Sequence, residues 1–202
     1  MNVLRVSLLL IAAMATACTS TGPQGPAPAD DWCRTAITEL TDAQRAWYEK
    51  EKTGGVDDTW MLTSPEPPAT DAAIQAAEQR LGVHFDQQYT QWLHHANGWR
   101  NFSGASTFFP LDEIARDSIP AESLRVFLEA AELTPDRVGI DSFDKLLVIG
   151  GTRDGKYFLA IEAAPSPETA SMPVYEFAYG DVTEHDDFKT FLRTEIDTLK
   201  QM

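Results

Sequence analysis

Apolar residues recur at the three-to-four-residue spacing of an amphipathic helix in four stretches of the chain. Asp30 or Asp31 can cap the first stretch and Thr70 or Asp71 the second, because such side chains accept hydrogen bonds from free backbone N–H groups. The four apolar stripes are Trp32, Ala36, Ile37, Leu40, Ala43 and Trp47; Ile74, Ala77 and Leu81; Tyr89, Trp92, Leu93 and Ala96; and Phe188, Phe191, Leu192, Ile196 and Leu199.

Glycines predict where the first three of these helices end. Gly54-Gly55 would stop the first helix, and Gly82 stands where a left-handed C-cap is expected. Asn97-Gly98 is predicted to close the third helix, because the spacing before it is helical and does not alternate. Residues 121–133 are predicted to form a further helix, followed by a turn over residues 135–139.

The last third of the chain changes to short apolar or alternating runs. Leu146–Ile149 and Tyr157–Ile161 are predicted strands, and Val174–Tyr179 alternates as a half-buried strand should. Thr107–Leu111 is predicted as a short edge strand, because Pro110 cannot donate a backbone hydrogen bond. Helices, then an antiparallel meander, then a closing helix predict an α+β fold with helices packed on an antiparallel sheet.

The first seventeen residues are predicted to be a secretory signal. Arg5 is their only charge, the apolar run of residues 6–14 is too short to span a bilayer, and residues 15–17 are small. The small residues directly before Cys18 resemble a bacterial lipoprotein lipobox, which implies a lipid on Cys18 and an anchor in the cell envelope. Cleavage by an ordinary signal peptidase and secretion is the alternative, and Cys18 could then pair with Cys33.

The segment after the signal has a different composition. Residues 18–30 are rich in Pro, Gly and small polar side chains, so they are predicted to form a flexible linker after the lipidated cysteine. Extended, such a linker reaches about 30 Å. Residues 31–202 are then predicted to form a single domain.

The chain is strongly acidic, with a net charge of −15. Removal of residues 1–17 takes away one positive charge, Arg5, and no acid, so −15 becomes −16. Such a charge disfavours nucleic acid as a partner, because phosphate binding needs Lys and Arg. It fits either a basic protein partner or an acidic surface that serves solubility.

A series of short motifs in this order resembles the SUKH superfamily. The motifs are Leu81-Gly82-Val83-His84-Phe85, Trp92-Leu93, Asn97-Gly98, Phe109-Pro110-Leu111, Leu147-Val148-Ile149-Gly150, Asp154-Gly155, Val174-Tyr175 and the segment around Phe188. The resemblance runs from about residue 32 to 199. It implies a binding module, since many relatives neutralise toxins, often nucleases, and fungal relatives are linked to cell-wall assembly.

Residues 150–157 nearly match a phosphate-binding P-loop. Tyr157 replaces the hydroxyl residue that holds magnesium, and a strand pattern follows where a helix must begin. An Asp154-Gly155 hairpin turn explains the same residues. Nucleotide binding is therefore not predicted, and the chain is expected to use no cofactor.

Neither a metal site nor a catalytic site is predicted. His94 and His95 are adjacent and face different ways on a helix, while His185, among several acids, is predicted to be solvated. Ser103 and Ser106 lack the surroundings of a hydrolase nucleophile. The function is therefore argued as recognition, and an enzyme is not expected.

Aromatic and arginine residues are favoured at interface hot spots, and acids can attract a basic partner. The predicted partner-binding residues are Trp99, Arg100, Asp112, Glu113, Asp181, Glu184, Asp186 and Asp187. The predicted function is an envelope-tethered, immunity-type inhibitor of a toxin that acts outside the cytoplasm. An envelope scaffold or cell-wall regulatory lipoprotein with a housekeeping partner is the alternative.

Overall fold

A computed structural model describes residues 31–52 and 59–202 of the chain. The predicted signal, Cys18, the linker and Gly54-Gly55 lie outside these residues. Six α-helices are present in the described part: α1 Trp32–Glu51, α2 Asp71–Leu81, α3 Gln87–Leu93, α4 Ile119–Ala130, α5 Pro135–Val138 and α6 Phe188–Gln201. The six strands are β1 Trp99–Ser103, β2 Ser106–Phe108, β3 Leu146–Gly151, β4 Tyr157–Glu162, β5 Val174–Ala178 and β6 Asp181–His185.

The six strands form one sheet in chain order, and every neighbouring pair is antiparallel. Short hairpin turns join β3 to β4 and β5 to β6, whereas residues 163–173 form a longer connection from β4 to β5. The predicted α+β class, with an antiparallel sheet and a closing C-terminal helix, is confirmed.

Side-chain caps set the helix boundaries much as the sequence predicts. Asp31 accepts a hydrogen bond from the Arg34 backbone N–H, and Thr70 accepts one from Ala73. Gly82 ends α2 in the left-handed region at φ 67°. Each such cap stabilises its helix by about 1 kcal/mol, because it satisfies a backbone donor that the helix leaves free.

The central strands of the sheet, β3 to β5, are buried on both faces. The inward side chains of one face join α1, α2, α3 and α6 in an aromatic-rich core that contains Trp92, Trp99, Phe108 and Phe188. The opposite face of β3, β4 and β5 packs against α4 and the segment after it, through residues such as Leu124 and Phe158. Leu146–Gly151 is therefore buried at every position, which explains why its sequence is a continuous apolar run.

Both edge strands differ from the predicted elements. β1 and β6 form the two edges of the sheet, yet neither was predicted as a strand. The β1–β2 register shifts between Trp99 and Ser103, and Asn101 has a positive φ of 52°. The two buried side chains of β1, Trp99 and Phe102, are therefore three residues apart, which hides the period of two.

The third helix ends earlier than predicted. α3 stops at Leu93, and a tight turn follows in which the His95 N–H donates to the Trp92 carbonyl at 2.8 Å. Asn97 instead bridges to the next segment, because its Oδ1 accepts from the Leu111 N–H at 2.9 Å. A Cβ at Gly98 would lie 3.1 Å from the Pro110 nitrogen, so the close approach of these two segments favours glycine.

The P-loop-like run is the turn of the β3–β4 hairpin, as the Asp154-Gly155 prediction requires. The Thr152 N–H donates to the Tyr157 carbonyl, and Gly155 is left-handed at φ 67°. A Cβ at Gly150 would lie 2.5 Å from the Thr107 carbonyl oxygen of β2. Close strand packing, and not phosphate, therefore accounts for this glycine.

Candidate protein-binding surface

Trp99 is a core residue and cannot contact a partner from its position. Its side chain is fully buried, stacked on Trp92 with ring centroids 6.3 Å apart, and its Nε1 donates to Thr63 Oγ1 at 2.9 Å. A buried tryptophan needs such a partner for its N–H, and this one has it. We therefore remove Trp99 from the predicted partner-binding residues.

Arg100, Asp112 and Glu113 lie near the β1–β2 end of the sheet and are exposed. The Arg100 Nε is 3.6 Å from Glu66 Oε1, and both side chains line a small depression of about 200 Å³ together with Glu113 and Arg153. Positive and negative groups alternate here. This region is therefore a mixed surface and not an acidic one.

The acids of β6 occupy the opposite edge. Asp181, Glu184 and Asp186 are exposed, and none of them forms an ion pair with another residue in the described part of the chain. The whole segment of residues 157–188 contains seven acids and no Lys or Arg. The nearest Lys residues in the sequence are Lys156 and Lys189, which flank this segment, so the acids outnumber the cations at this edge.

Asp187 differs from these three acids because it has a structural role. Its Oδ1 accepts from the Thr190 N–H at 2.8 Å and caps α6, while its Oδ2 accepts from Gln88 Nε2 at 3.1 Å. Burial alone would raise the pKa of Asp187, but these hydrogen bonds outweigh it and hold the pKa below its usual value. A partner would have to break the helix cap to use this carboxylate.

The predicted acidic residues thus do not form one continuous face. Asp112 and Glu113 follow β2, and Asp181 to Asp186 belong to β6 and its end. Four strand spacings separate β2 from β6, which corresponds to roughly 19 Å. A single small interface cannot be centred on both groups.

Tyr179 was not among the predicted partner-binding residues, yet it is the most exposed aromatic side chain in the described structure, at 93%. Ala178 pairs with Asp181, so Tyr179 and Gly180 form a two-residue hairpin loop between β5 and β6. Their φ angles of 54° and 86° match a type I′ turn, which normally prefers Asn-Gly. A tyrosine at positive φ is uncommon, and such outliers favour a functional explanation.

The register of β6 places its acids around the rim of the sheet. Asp181 pairs with Ala178 and Glu184 with Tyr175, so these two acids project from opposite faces of the same edge strand. Tyr179 precedes them at the hairpin tip. We refer to Tyr179, Asp181, Glu184 and Asp186 as the β6 rim.

The model of the SMI1 / KNR4 family (SUKH-1) matches residues 68–195, which is 128 of the 202 residues. The chain belongs to the SMI1 / KNR4 family (SUKH-1). A comparison with curated proteins found no match. The SUKH family includes toxin-immunity proteins and cell-wall regulators, is in general non-catalytic, and has members that bind protein partners.

The matched range of the SUKH-1 domain spans α2 through most of α6, and α1 precedes it. The motifs that carry the resemblance consist mainly of core residues. Their buried side chains include Leu81, Phe85, Trp92 and Leu147. The β6 rim lies within the matched range but consists of exposed side chains. The residues that identify the SUKH-1 family are thus largely distinct from those available to a partner.

A buried polar cluster holds the β6 rim onto the SUKH-1 core. His185 is only 6% exposed, which corrects the prediction that it is solvated, and its Nε2 donates to Glu176 Oε2 at 2.5 Å. The Tyr157 hydroxyl donates to Glu176 Oε1 at 2.7 Å. Burial would raise the pKa of Glu176, but the hydrogen bonds from His185 and Tyr157 outweigh it and lower the pKa. The carboxylate is therefore charged and fixes the strand.

Two adjoining grooves lie away from the rim, one of about 770 Å³ beside α2 and one of about 710 Å³ under α4. They share Arg116 and Asp144, which are joined by a hydrogen bond from the guanidinium to the Asp144 carbonyl. Several charged groups of the larger groove have ion-pair partners, such as Lys145 with Glu162 at 3.7 Å. Its lining contains no Ser, Thr or Cys to act as a nucleophile.

The described helices give no sign of a membrane span. Across residues 31–52 and 59–202, none of them has both the length and the apolar content that crossing a bilayer requires.

Proposed function

We propose that this SUKH-1 domain is a non-enzymatic protein-binding module that meets a basic partner through the β6 rim. The observation that carries the proposal is Tyr179, which is 93% exposed at an unfavourable φ, beside acids that form no ion pair within residues 31–52 and 59–202. A tyrosine supplies a large contact area with little rotamer entropy to lose, and it is enriched among interface hot spots. The acids would raise the association rate and select against acidic partners.

The edge position of β6 gives the partner a second means of attachment. The outer backbone groups of an edge strand are free to pair with another chain. Acidic side chains on both faces of the strand would discourage self-association between copies of this domain, while they would attract a cationic segment. The rim therefore disfavours self-association of the domain and favours binding of a basic partner.

The biological role that fits this surface best is that of an immunity-type inhibitor, tethered to the cell envelope, that blocks a toxin acting outside the cytoplasm by steric occlusion. The family includes toxin-immunity proteins, which supports the class of partner. The sequence of residues 1–17 and Cys18 supports export and lipid attachment. Secretion without a lipid anchor remains the alternative for its location.

The position of Cys33 also supports lipidation of Cys18 over a disulfide. Cys33 is 1% exposed in the first turn of α1, and burial raises the pKa of its thiol to about 12. Disulfide formation needs an accessible thiolate, so a buried thiol of high pKa reacts slowly. Mass spectrometry of the mature N-terminus should find an acyl mass on Cys18, and an unmodified Cys18 would contradict the lipoprotein proposal.

The binding proposal is tested by capture of a partner from envelope extracts with three proteins. These are the wild type, a rim variant D181N/E184Q/D186N, and a control variant D112N/E113Q/D117N that removes the same charge from exposed acids elsewhere. We expect the rim variant alone to lose the partner, with about tenfold slower association at low salt and less dependence on salt. Equal losses in both variants would show that only total charge matters.

The aromatic part of the proposal has its own test. Tyr179→Asn removes the ring but keeps a residue that tolerates positive φ in a type I′ turn, so the fold is retained. Removal of an interface hot spot costs about 2 kcal/mol or more, which corresponds to roughly thirtyfold weaker binding. Unchanged affinity in Tyr179→Asn would exclude the hairpin tip from the interface.

The identity of the captured protein separates the two roles open to the domain. A basic toxin supports immunity, whereas a housekeeping envelope protein captured through the same rim would support a scaffold or cell-wall regulator. The genes adjacent to this one provide an independent check, because a neighbouring toxin gene would favour immunity.

A further inference from the structure

Three side chains of types that commonly ligate metal ions lie close together where α1 begins. Asp31 is the N-cap of α1, Cys33 lies in its first turn, and His95 follows α3. His95 Nε2 is 3.2 Å from Asp31 Oδ1. One carboxylate oxygen, the thiol sulfur and one imidazole nitrogen all lie within 4.8 Å of one another.

We propose that Asp31, Cys33 and His95 form a three-ligand site for a borderline divalent cation, for which Zn²⁺ is the first candidate. Sulfur, imidazole nitrogen and carboxylate oxygen are the three donor types that Zn²⁺ takes in proteins. Hard ions such as Mg²⁺ and Ca²⁺ prefer oxygen donors throughout, so this mixed set selects against them. Three protein ligands leave a fourth tetrahedral position for water or an external group.

The distances suit such an ion after small movements of the side chains. Bonds of about 2.0 to 2.3 Å from a tetrahedral Zn²⁺ put its donor atoms roughly 3.3 to 3.6 Å apart. The Asp31–His95 pair, at 3.2 Å, is already close to this separation, and the Cys33 sulfur lies no more than 4.8 Å from a donor atom of each, so it is within reach of the same ion. The Asp31 and His95 side chains are 37% and 28% exposed, so an ion can reach the site from solvent.

The surroundings favour the charged form of the Asp31 carboxylate and the neutral form of the Cys33 thiol. The Arg34 backbone N–H is the main cause that lowers the pKa of Asp31, so this ligand is charged before any ion binds. Burial and the Asp31 charge raise the pKa of Cys33 to about 12, against the opposing charge of Lys189 on α6. Because cysteine binds metal ions as the thiolate, ion binding should release about one proton.

Such a site would join two parts of the chain that differ in their relation to the family. His95 lies within the range matched by the SUKH-1 model, whereas Asp31 and Cys33 precede it. A bound ion would fasten α1 to the turn after α3 and so stabilise the start of the described domain. The stabilisation grows with the concentration of free ion, because the ion binds the folded state.

The test uses Co²⁺ as a spectroscopic probe and Zn²⁺ as its competitor. The full chain is prepared with Cys18→Ser, which leaves Cys33 as the one thiol among its two cysteines. We expect one equivalent of Co²⁺ to give a near-ultraviolet thiolate-to-cobalt absorption and the visible bands of a tetrahedral ion, all abolished by Zn²⁺. Asp31→Asn is expected to weaken binding at least tenfold while it keeps the N-cap, since Asn caps as well as Asp.

The adjacent histidines supply a matched pair of variants. His95→Gln should lose the cobalt absorption, and His94→Gln should keep it, because His94 lies near Asp71 and outside the cluster. Cys33→Ser should lose the thiolate absorption, with circular dichroism as the check that each variant folds. Equal binding by the two histidine variants, or cobalt bound without the thiolate absorption, would overturn the site and leave the binding function of the rim untouched.

Discussion

The β1 edge of the sheet is closed by side chains from other elements, whereas the β6 edge presents charged groups to solvent. At the β1 edge, the buried Gln44 of α1 donates from its Nε2 to the carbonyls of Asn101 and Phe102 at 3.1 and 3.0 Å. At the β6 edge, the acids have no such partners in the described part of the chain. The difference indicates that one edge belongs to the core and the other is available for recognition.

The largest expected effect is a difference in stability between variants of two aromatic residues, Trp99 at the β1 edge and Tyr179 at the β6 edge. Trp99→Ala should destabilise the domain by about 3 to 5 kcal/mol, because it opens a cavity in the aromatic core and removes the hydrogen bond from the indole N–H to Thr63. Tyr179→Ala should change stability by less than about 0.5 kcal/mol, since its ring is almost fully exposed. Urea unfolding of both variants measures this contrast. Similar losses of stability in the two variants would contradict the contrast between a buried β1 edge and an exposed β6 edge.

A smaller effect tests how the β1 edge is closed. Gln44→Ala should cost about 1 to 3 kcal/mol, because it removes the Nε2 donor to the buried Phe102 carbonyl, while the Asn101 carbonyl keeps only Thr63 Oγ1 as a side-chain donor. Arg45→Ala is the matched control, since Arg45 follows on the same helix and makes only an exposed contact with Asp42. Thermal unfolding should place the control within about 0.5 kcal/mol of the wild type. A control as damaging as Gln44→Ala would point to helix propensity instead.

The smallest effect concerns Glu195 of α6, a half-buried carboxyl group close to β1 and β5. Ser103 of β1 hydrogen-bonds to it, Glu176 of β5 repels it, and burial is the main cause that raises its pKa above 4.5. The folded state therefore holds this proton more tightly than the unfolded state does, so its contribution to stability is present below pH 4.5. That contribution is lost as the pH rises through the folded pKa.

Glu195→Gln removes this penalty, because the amide carries no charge at any pH. The variant should gain stability relative to wild type at pH 7 and gain little at pH 4. Chemical unfolding at the two pH values measures the difference. The same gain at both pH values would show that packing, and not ionisation, decides the effect of the substitution.

Residues with strong local preferences were predictable from the sequence. The α2 and α6 stripes, the Gly82 cap and the strands β3 to β5 have one element type that satisfies their spacing. β6 was not predicted, because an edge strand with acids at exposed positions lacks an alternating apolar pattern. β1 escaped because the irregular register at Asn101 displaces its second buried residue.

The candidate surface was predictable only in part, for a related reason. The sequence pointed to the acids of residues 181–187 through their density, and three of them are exposed. It could not distinguish Trp99 from Tyr179, since both are aromatic residues next to strands and glycines. The exposure of each depends on which elements cover it, and those elements are distant in the sequence.

The sequence by itself determined most of the helices, the strands β3 to β5, the Gly82 cap and the SUKH-1 family, because these depend on local spacing and on motifs in a given order. Only the tertiary structure decided which aromatic residue is buried, which acid is a helix cap, and that Asp31 and Cys33 meet His95. The physical reason is that local preferences act over a few residues. Burial and donor geometry are set by contacts between elements, which can join segments distant in the sequence, such as Asp31 with His95.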